Sequence, residues 1–443
     1  MAGEWAKFRL GTVCTKIGSG ATPRGGASVY LDQGNVALIR SQNVYNHGFH
    51  HDGLVYLTAQ HAAELANVEV AVGGVLLNIT GDSVARACRV DPDVLPARVN
   101  QHVAIIRPDP NQLSPLYLRY YLISSGMQAR MLSLGGAGAT RNALTKGMIE
   151  AFEVPAPAEV IEQQAIACIL GALDDKIELN RRRNRTLEAM ARAIFQSWFV
   201  DFDPVKAKAA GRTPAGLSND LAALFPDSFE DSTLGPIPKG WQVRPLPEVF
   251  DINPTRSLSK GKLAPYLDMS NMPTQGPQPE SWVMREMGSG MKFINGDTFV
   301  ARTTPCLENG KTAFVDFLAE GEVAWGSTEY IVLRPKGAIP PHFAYLLART
   351  EDFRSFAIQQ MTGSSGRQRV PADSLDKFVL SVPEIISPLF SHFGETVSPM
   401  FGQIKAGAEQ SRSLAALRDA LLPKLISGEL RVPDAERIAG RMM

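Results

Sequence analysis

Chemistry asks for particular side chains at particular spacings, and this chain offers few. The stretch "LDDKIE" (173–178) sets Asp174 two residues before Lys176, an arrangement that metal-dependent nucleases use. It falls inside a helical seven-residue pattern, where charged side chains ordinarily face water, so solvation rather than catalysis is expected. "HGFHH" (47–51) has residue types that can ligate a metal, although a polar loop is the plainer expectation. Cys14, Cys88, Cys168 and Cys306 lie far apart, with neither a C-x-x-C pair nor a histidine spacing that suits zinc, which predicts reduced thiols and no metal. "GSGATP" (18–23) lacks the last glycine of a dinucleotide loop. No G-x-x-x-x-G-K-S/T string is present to cradle phosphates. Neither "DFDP" nor "INPT" supplies the D/N-P-P-F/Y loop that stacks a flipped adenine. No catalytic role and no bound cofactor are therefore expected of this chain.

Hydrogen-bonding capacity is another matter. "RSQNVYNHG" (40–48) gathers Arg40, Ser41, Gln42, Asn43 and Asn46, and a later stretch gathers Ser270, Asn271, Thr274 and Gln275. Two glycine-rich loops carry cations: "GGAGATRNALTKG" (135–147) with Thr140, Arg141 and Lys146, and "TGSSGRQRVP" (362–371) with Ser364, Ser365, Arg367 and Arg369. Asn100, Gln101 and His102 are expected to tie strands together instead.

A chain of 443 residues exceeds what one core ordinarily fills, so two or more domains are expected. Lysine plus arginine, 45, equals aspartate plus glutamate, 45, which excludes a protein that coats nucleic acid by bulk positive charge. Any such contact is local or shared with a partner. The opening "MAGEWAKFRLG" shows no apolar signal core, and no run approaches a membrane span, so a soluble cytoplasmic protein without membrane contact is expected.

The elements that must position these residues come twice. "EWAKFRLGTV" is echoed by "GWQVRPLPEV", "GGVLLNITGDSVARACRV" by "INGDTFVARTTPCLENGKTAFV", and "VNQHVAIIRP" by "GSTEYIVLRP". β-Branched runs bounded by Gly, Asp and Pro predict strands, and "PLYLRYYLIS" and "PHFAYLLART" predict helices. A seam of steps alternating between four and three runs through Ile166, Leu170, Leu173, Ile177, Asn180, Asn184, Leu187, Ala191, Ile194 and Trp198. The same rhythm recurs through Phe393, Val397, Met400, Ile404, Gly407, Ser411, Leu414, Arg418, Leu421 and Leu425. Such a seam predicts long coiled-coil helices. If they pair antiparallel, Asn180 and Asn184 lie near Gly407 and Ser411, a polar centre that penalises slipped registers. The predicted class is α+β, with two globular domains (1–155 and 237–383), long helices at 156–200 and 384–427 packed as an antiparallel coiled coil, a linker at 201–236 holding one short helix, and a tail at 428–443.

The wording of "LIRSQNV", "LLNITGDSVARA", "VNQHVAIIRP", "GATRNALTKG", "LGPIPKGW", "LLPKLISGEL" and above all the helix with its "SWFVDFDP" exit resembles the specificity subunit of type I restriction–modification enzymes. The resemblance covers nearly the whole chain. It implies two target-recognition domains, each reading half of a split DNA sequence, with the helices as a ruler between them. It implies as partners double-stranded DNA, two adenine-N6 methyltransferase subunits on the helices and motor-nuclease subunits attached through those. S-adenosylmethionine and ATP would belong to the partners. Base edges are read by paired donors and acceptors, so Arg40, Ser41, Gln42, Asn43, Asn46, Ser270, Asn271, Thr274 and Gln275 become the candidate base contacts. Cations and free backbone N–H groups anchor phosphates, so Thr140, Arg141, Lys146, Ser364, Ser365, Arg367 and Arg369 become the candidate phosphate contacts. The second copy departs from the family's wording, with "LDMSNMP" where the first has "LIRSQNV".

Overall fold

The structure, a computed structural model, describes residues 4–136, 143–279, 281–364, 366 and 368–440. It comprises two compact units, Met1–Glu178 with Arg412–Met443, and Leu179–Ser411. In the first unit one four-stranded sheet has the order Cys14–Ser19, Val103–Pro108, Val75–Asn78, Ala87–Arg89, all antiparallel. A second has the order Val55–Leu57, Val36–Ile39, Ala97–Val99, Glu69–Val70, with one parallel pair at its centre. The second unit repeats both orders. Its sheets run Phe250–Ile252, Tyr330–Pro335, Thr298–Ala301, Thr312–Phe314, and Val283–Glu286, Leu263–Leu267, Ala324–Gly326, Lys292–Phe293, again with one parallel pair. The duplicated wording is thus a duplicated topology.

The middle strand of each antiparallel sheet explains the unbroken apolar runs. In "VAIIRP", Val103 and Ile105 join the core between the two sheets, whereas Ala104 and Ile106 join the core against the helices. In the second unit Tyr330 and Val332 take the first role and Ile331 and Leu333 the second. Side chains alternate across a strand, so a strand buried on both faces has no polar side left to show. The helix Pro115–Ile123 begins where Ser114 accepts from Tyr117 N at 3.4 Å and Pro115 takes the first turn, a favoured start. Its counterpart is His342–Ala348.

The long helices run Val160–Phe199 and Pro388–Ser427. Within the first unit Leu170, Leu173 and Ile177 share a core with Leu414, Leu421 and Leu425. Within the second, Trp198 and Phe195 share one with Phe393 and Val397. Rising numbers meet falling ones: Asn180 Nδ2 reaches Gln410 Oε1 at 2.9 Å and Ser411 Oγ at 3.4 Å, Arg183 reaches Gln403 at 2.6 Å, and Asn184 Nδ2 donates to Ile404 O at 3.0 Å. The pairing is antiparallel, and the polar centres meet. Asn184 lies against Gly407, where an added Cβ would stand 2.7 Å from its Oδ1. Ile404 is buried, and Met400 is half-buried.

Four expectations change. The seam drifts near the end of the first helix: Leu187 and Ile194 are half-buried and Glu188 and Phe195 take inward places, while Ala191 and Trp198 keep theirs. A straight helix drifts against a seven-residue repeat, and here the turn faces a domain as well as a helix. Asp174 is not solvated; its side chain is 17 % exposed, between Arg119 and Arg418. The stretch 201–236 holds two short helices, Asp203–Ala209 and Asn219–Ala223, and the start of a hairpin, with Val205 and Phe225 buried. The final stretch includes the helix Val432–Gly440, which packs Ala435 and Ala439 into the first unit's core. Small apolar residues at helical spacing, with Glu436 and Arg437 facing water, make that helix.

Candidate nucleic-acid interface

The first polar cluster sits on the loop that leaves the parallel strand Val36–Ile39 and includes the short turn Ser41–Asn43. Asn43 is fully buried and spends its amide on the loop itself: Oδ1 accepts from Arg40 N at 3.0 Å, and Nδ2 donates to His50 O at 2.9 Å and Asp52 O at 3.2 Å. It shapes the loop and is withdrawn from the base-reading candidates. Asn46 is likewise occupied, accepting from Ala87 N at 2.9 Å and donating to Gln128 Oε1 at 3.3 Å. Arg40 and Gln42 both donate to Gly53 O. Gly53 holds φ at +67°, and a Cβ there would fall on Gln42 Nε2, so only glycine lets the side chain pass. Gln42 remains exposed and keeps its carbonyl oxygen; Ser41 is half-buried. Arg40 also lies 5.5 Å over the Tyr30 ring.

The histidines belong to an aromatic group. Tyr45 packs on His50 at 4.3 Å between centroids, Arg86 lies 4.7 Å over the Tyr45 ring, and His51 meets Asp91 at 3.0 Å. Among the described residues no cluster of His, Cys, Asp and Glu is placed to hold a metal ion. Tyr45 and Arg86 are not signalled by spacing; one ends the strand Val44–Tyr45 and the other precedes the strand Ala87–Arg89. Burial pushes the thiols of Cys14 and Cys88 up to about 12, so both are protonated and inert.

In the second unit the corresponding turn is Met269–Asn271. Asp268 caps it, accepting from Ser270 N at 2.9 Å and Ser270 Oγ at 2.7 Å, and these bonds hold its carboxyl below the usual range. Ser270 is exposed but donates inward; Asn271 is half-buried; Thr274 and Gln275 are exposed. Arg349 grips the backbone on both sides of Gln275, donating to Thr274 O at 2.8 Å and Gly276 O at 2.7 Å.

Of the phosphate candidates, Thr140, Arg141, Ser365 and Arg367 lie outside the described residues. Lys146 opens a short helix capped by Thr145 and is 63 % exposed; its pair with Glu150 at 3.5 Å leaves the charge available to solvent. Ser364 is exposed. Arg369 is exposed but paired with Glu329 at 2.9 Å, which also takes Arg302 at 3.1 Å, so its charge is partly spent. Gln101 and His102 bond to each other at 3.0 Å and to Thr22 and Thr80, and Asn100 accepts from His102 N at 3.1 Å, so these side chains join turns beside the strands, not the strands themselves.

Comparison with known proteins adds an independent finding. The family described as type I restriction modification DNA specificity domain matches residues 2–189 and again 238–388. The type I restriction enzyme MjaIX specificity subunit of Methanocaldococcus jannaschii is 26% identical over 76% of this chain and 74% of its own. The HindI specificity subunit of Haemophilus influenzae is 24% identical over 96% of this chain and 100% of its own. The type I restriction-modification S subunit from M. genitalium shares the fold at a TM-score of 0.54 and 15% identity, with 96% of each chain covered.

Proposed function

The chain belongs to the type I restriction–modification DNA specificity family, and from that premise we propose that it reads a bipartite DNA target, each unit taking one half. Relatives of this kind are specificity subunits, the non-catalytic recognition component of their complexes, and this chain is one. The observation that carries the half-site reading is the repetition of one sheet topology, each copy presenting a polar loop beside its parallel strand pair. Gln42 and Ser41 in the first copy, and Ser270, Asn271, Thr274 and Gln275 in the second, are the side chains that meet base edges; amides suit adenine and hydroxyls several bases. Lys146 and Ser364 contact phosphates, with Arg369 once it leaves Glu329.

The antiparallel helices set the spacer and dock two methyltransferase subunits, which bring S-adenosylmethionine; motor-nuclease subunits attach through them and bring ATP. A 40-residue helix spans about 60 Å, the scale of a split target. The test is geometric. Matched seven-residue insertions in both helices, near Asn180 and Gly407, add roughly 10 Å and so about three base pairs. Selection from a random duplex pool by the assembled complex should return both half-sites unchanged with a longer gap. Altered half-sites, or an unaltered gap, would refute the ruler.

A further inference from the structure

A loop that reads bases has to be held to within about half an ångström, and loops alone do not achieve that. Both reading loops are held by an arginine whose charge is answered from a long helix. In the first unit Arg119 Nη2 donates to Asn46 O at 2.6 Å, while its Nη1 meets Asp174 Oδ2 on the first long helix at 2.7 Å. Asp174 Oδ1 takes Arg418 Nη1, from the second long helix, at 2.7 Å, and Tyr120 Oη donates to Oδ2 at 2.7 Å. Burial alone would raise the Asp174 carboxyl, but Arg119, Arg418 and Tyr120 hold it below the usual range. In the second unit Glu188 on the first long helix accepts from Tyr345 Oη at 2.6 Å and faces Arg349 Nε at 3.8 Å. Arg349 then fixes both carbonyls that flank Gln275 and also reaches Gly310 O at 2.9 Å.

The two devices are not copies. At the offset that aligns the seams, Asp174 answers Phe401 and Glu188 answers Ala415. Different residues have arrived at one connection in two units, which a chance buried ion pair would not do. Nor is stability a sufficient reason. Well-packed apolar residues stabilise as well as a buried pair does, whereas a guanidinium fork adds direction to its two carbonyl or carboxylate partners.

We propose that Arg119 and Arg349 are positioning residues for sequence readout, each fixing its reading loop from a carboxylate on the long helices so that half-site preference depends on that link. The inference rests on the reading of function above. It is tested in the complex assembled with methyltransferase subunits, using Asp174→Asn and Glu188→Gln, which keep volume and remove charge. After selection from a random duplex pool, E188Q should lose about tenfold in discrimination at the positions read by the second unit and none in the first half-site; D174N should do the reverse. Amide exchange on the chain alone gives a second readout. Thr312 N and Phe314 N bond Pro273 O and Pro277 O, so E188Q should speed their exchange and leave Val332 N unchanged. Unaltered half-site preference, equal loosening of both halves by either variant, or unchanged exchange at Thr312 and Phe314 would overturn the proposal. If the unmodified chain enriches no bipartite sequence, the reading of function falls and takes this inference with it; motifs that persist through both variants sink the inference alone.

Discussion

Gln42 and Asn43 are neighbours of similar chemistry and opposite use. One points out with an acceptor to spare; the other is sealed into its own loop. Residue type alone made both candidates, because the bonds that consume Asn43 come from His50 and Asp52, around a turn whose closure no spacing announces. Asp174 and Glu188 escaped for a related reason: their arginine partners lie 55 and more residues away, so each carboxylate looks solvated until the fold is known. His342 illustrates what burial does to a titratable group. It packs 4.2 Å from Phe401 and 4.7 Å from Phe314, beside Ser398, and burial lowers it from 6.5 to about 4. Between those pH values the unfolded chain takes up a proton that the fold refuses, so stability falls as pH falls and levels off below pH 4. The loss is about 2 kcal/mol, reduced from its full value because the ring keeps some water contact. Urea midpoints of His342→Phe, followed by tryptophan fluorescence between pH 7 and 4, should lack that part of the slope.

At the scale of elements, period carried most of the information. Steps of four and three mark both long helices, because that period is imposed by one repeating geometry, and β-branched runs with Gly, Asp and Pro at their ends mark the strands. The seam's drift toward Glu188 and Phe195 was invisible, since it depends on a domain surface that no local pattern describes. Asn184 and Gly407 offer a direct test of the polar centre. Alanine at Gly407 gains about 1 kcal/mol of helix propensity but sets a Cβ 2.7 Å from Asn184 Oδ1, so the Asn184 side chain must turn away from Ile404 O and the gain should be largely cancelled. Asn184→Ala alone should cost about 1 kcal/mol by removing the bond that Ile404 O accepts from Asn184 Nδ2 beside its helical one. Together the two changes should recover stability, with a coupling of about 1 kcal/mol in a denaturation cycle. Additive effects would show that the two sites are independent.

For the whole molecule, charge balance is the feature with the plainest experimental meaning. With 45 cations against 45 anions, the chain has no excess field to draw in a duplex. Binding by the chain alone should therefore be weak and fall steeply with salt, and tight specific binding should need the methyltransferase subunits; equal affinities in a salt titration with and without them would contradict this. Along the middle strand of each antiparallel sheet, Val103 and Ile105, or Tyr330 and Val332, face the core between the sheets, and Ala104 and Ile106, or Ile331 and Leu333, face the core against the long helices. Substitutions at 103 and 105 in the first unit, and at 330 and 332 in the second, would thus remodel the floor between the sheets while the side packed on the long helices stays as it is.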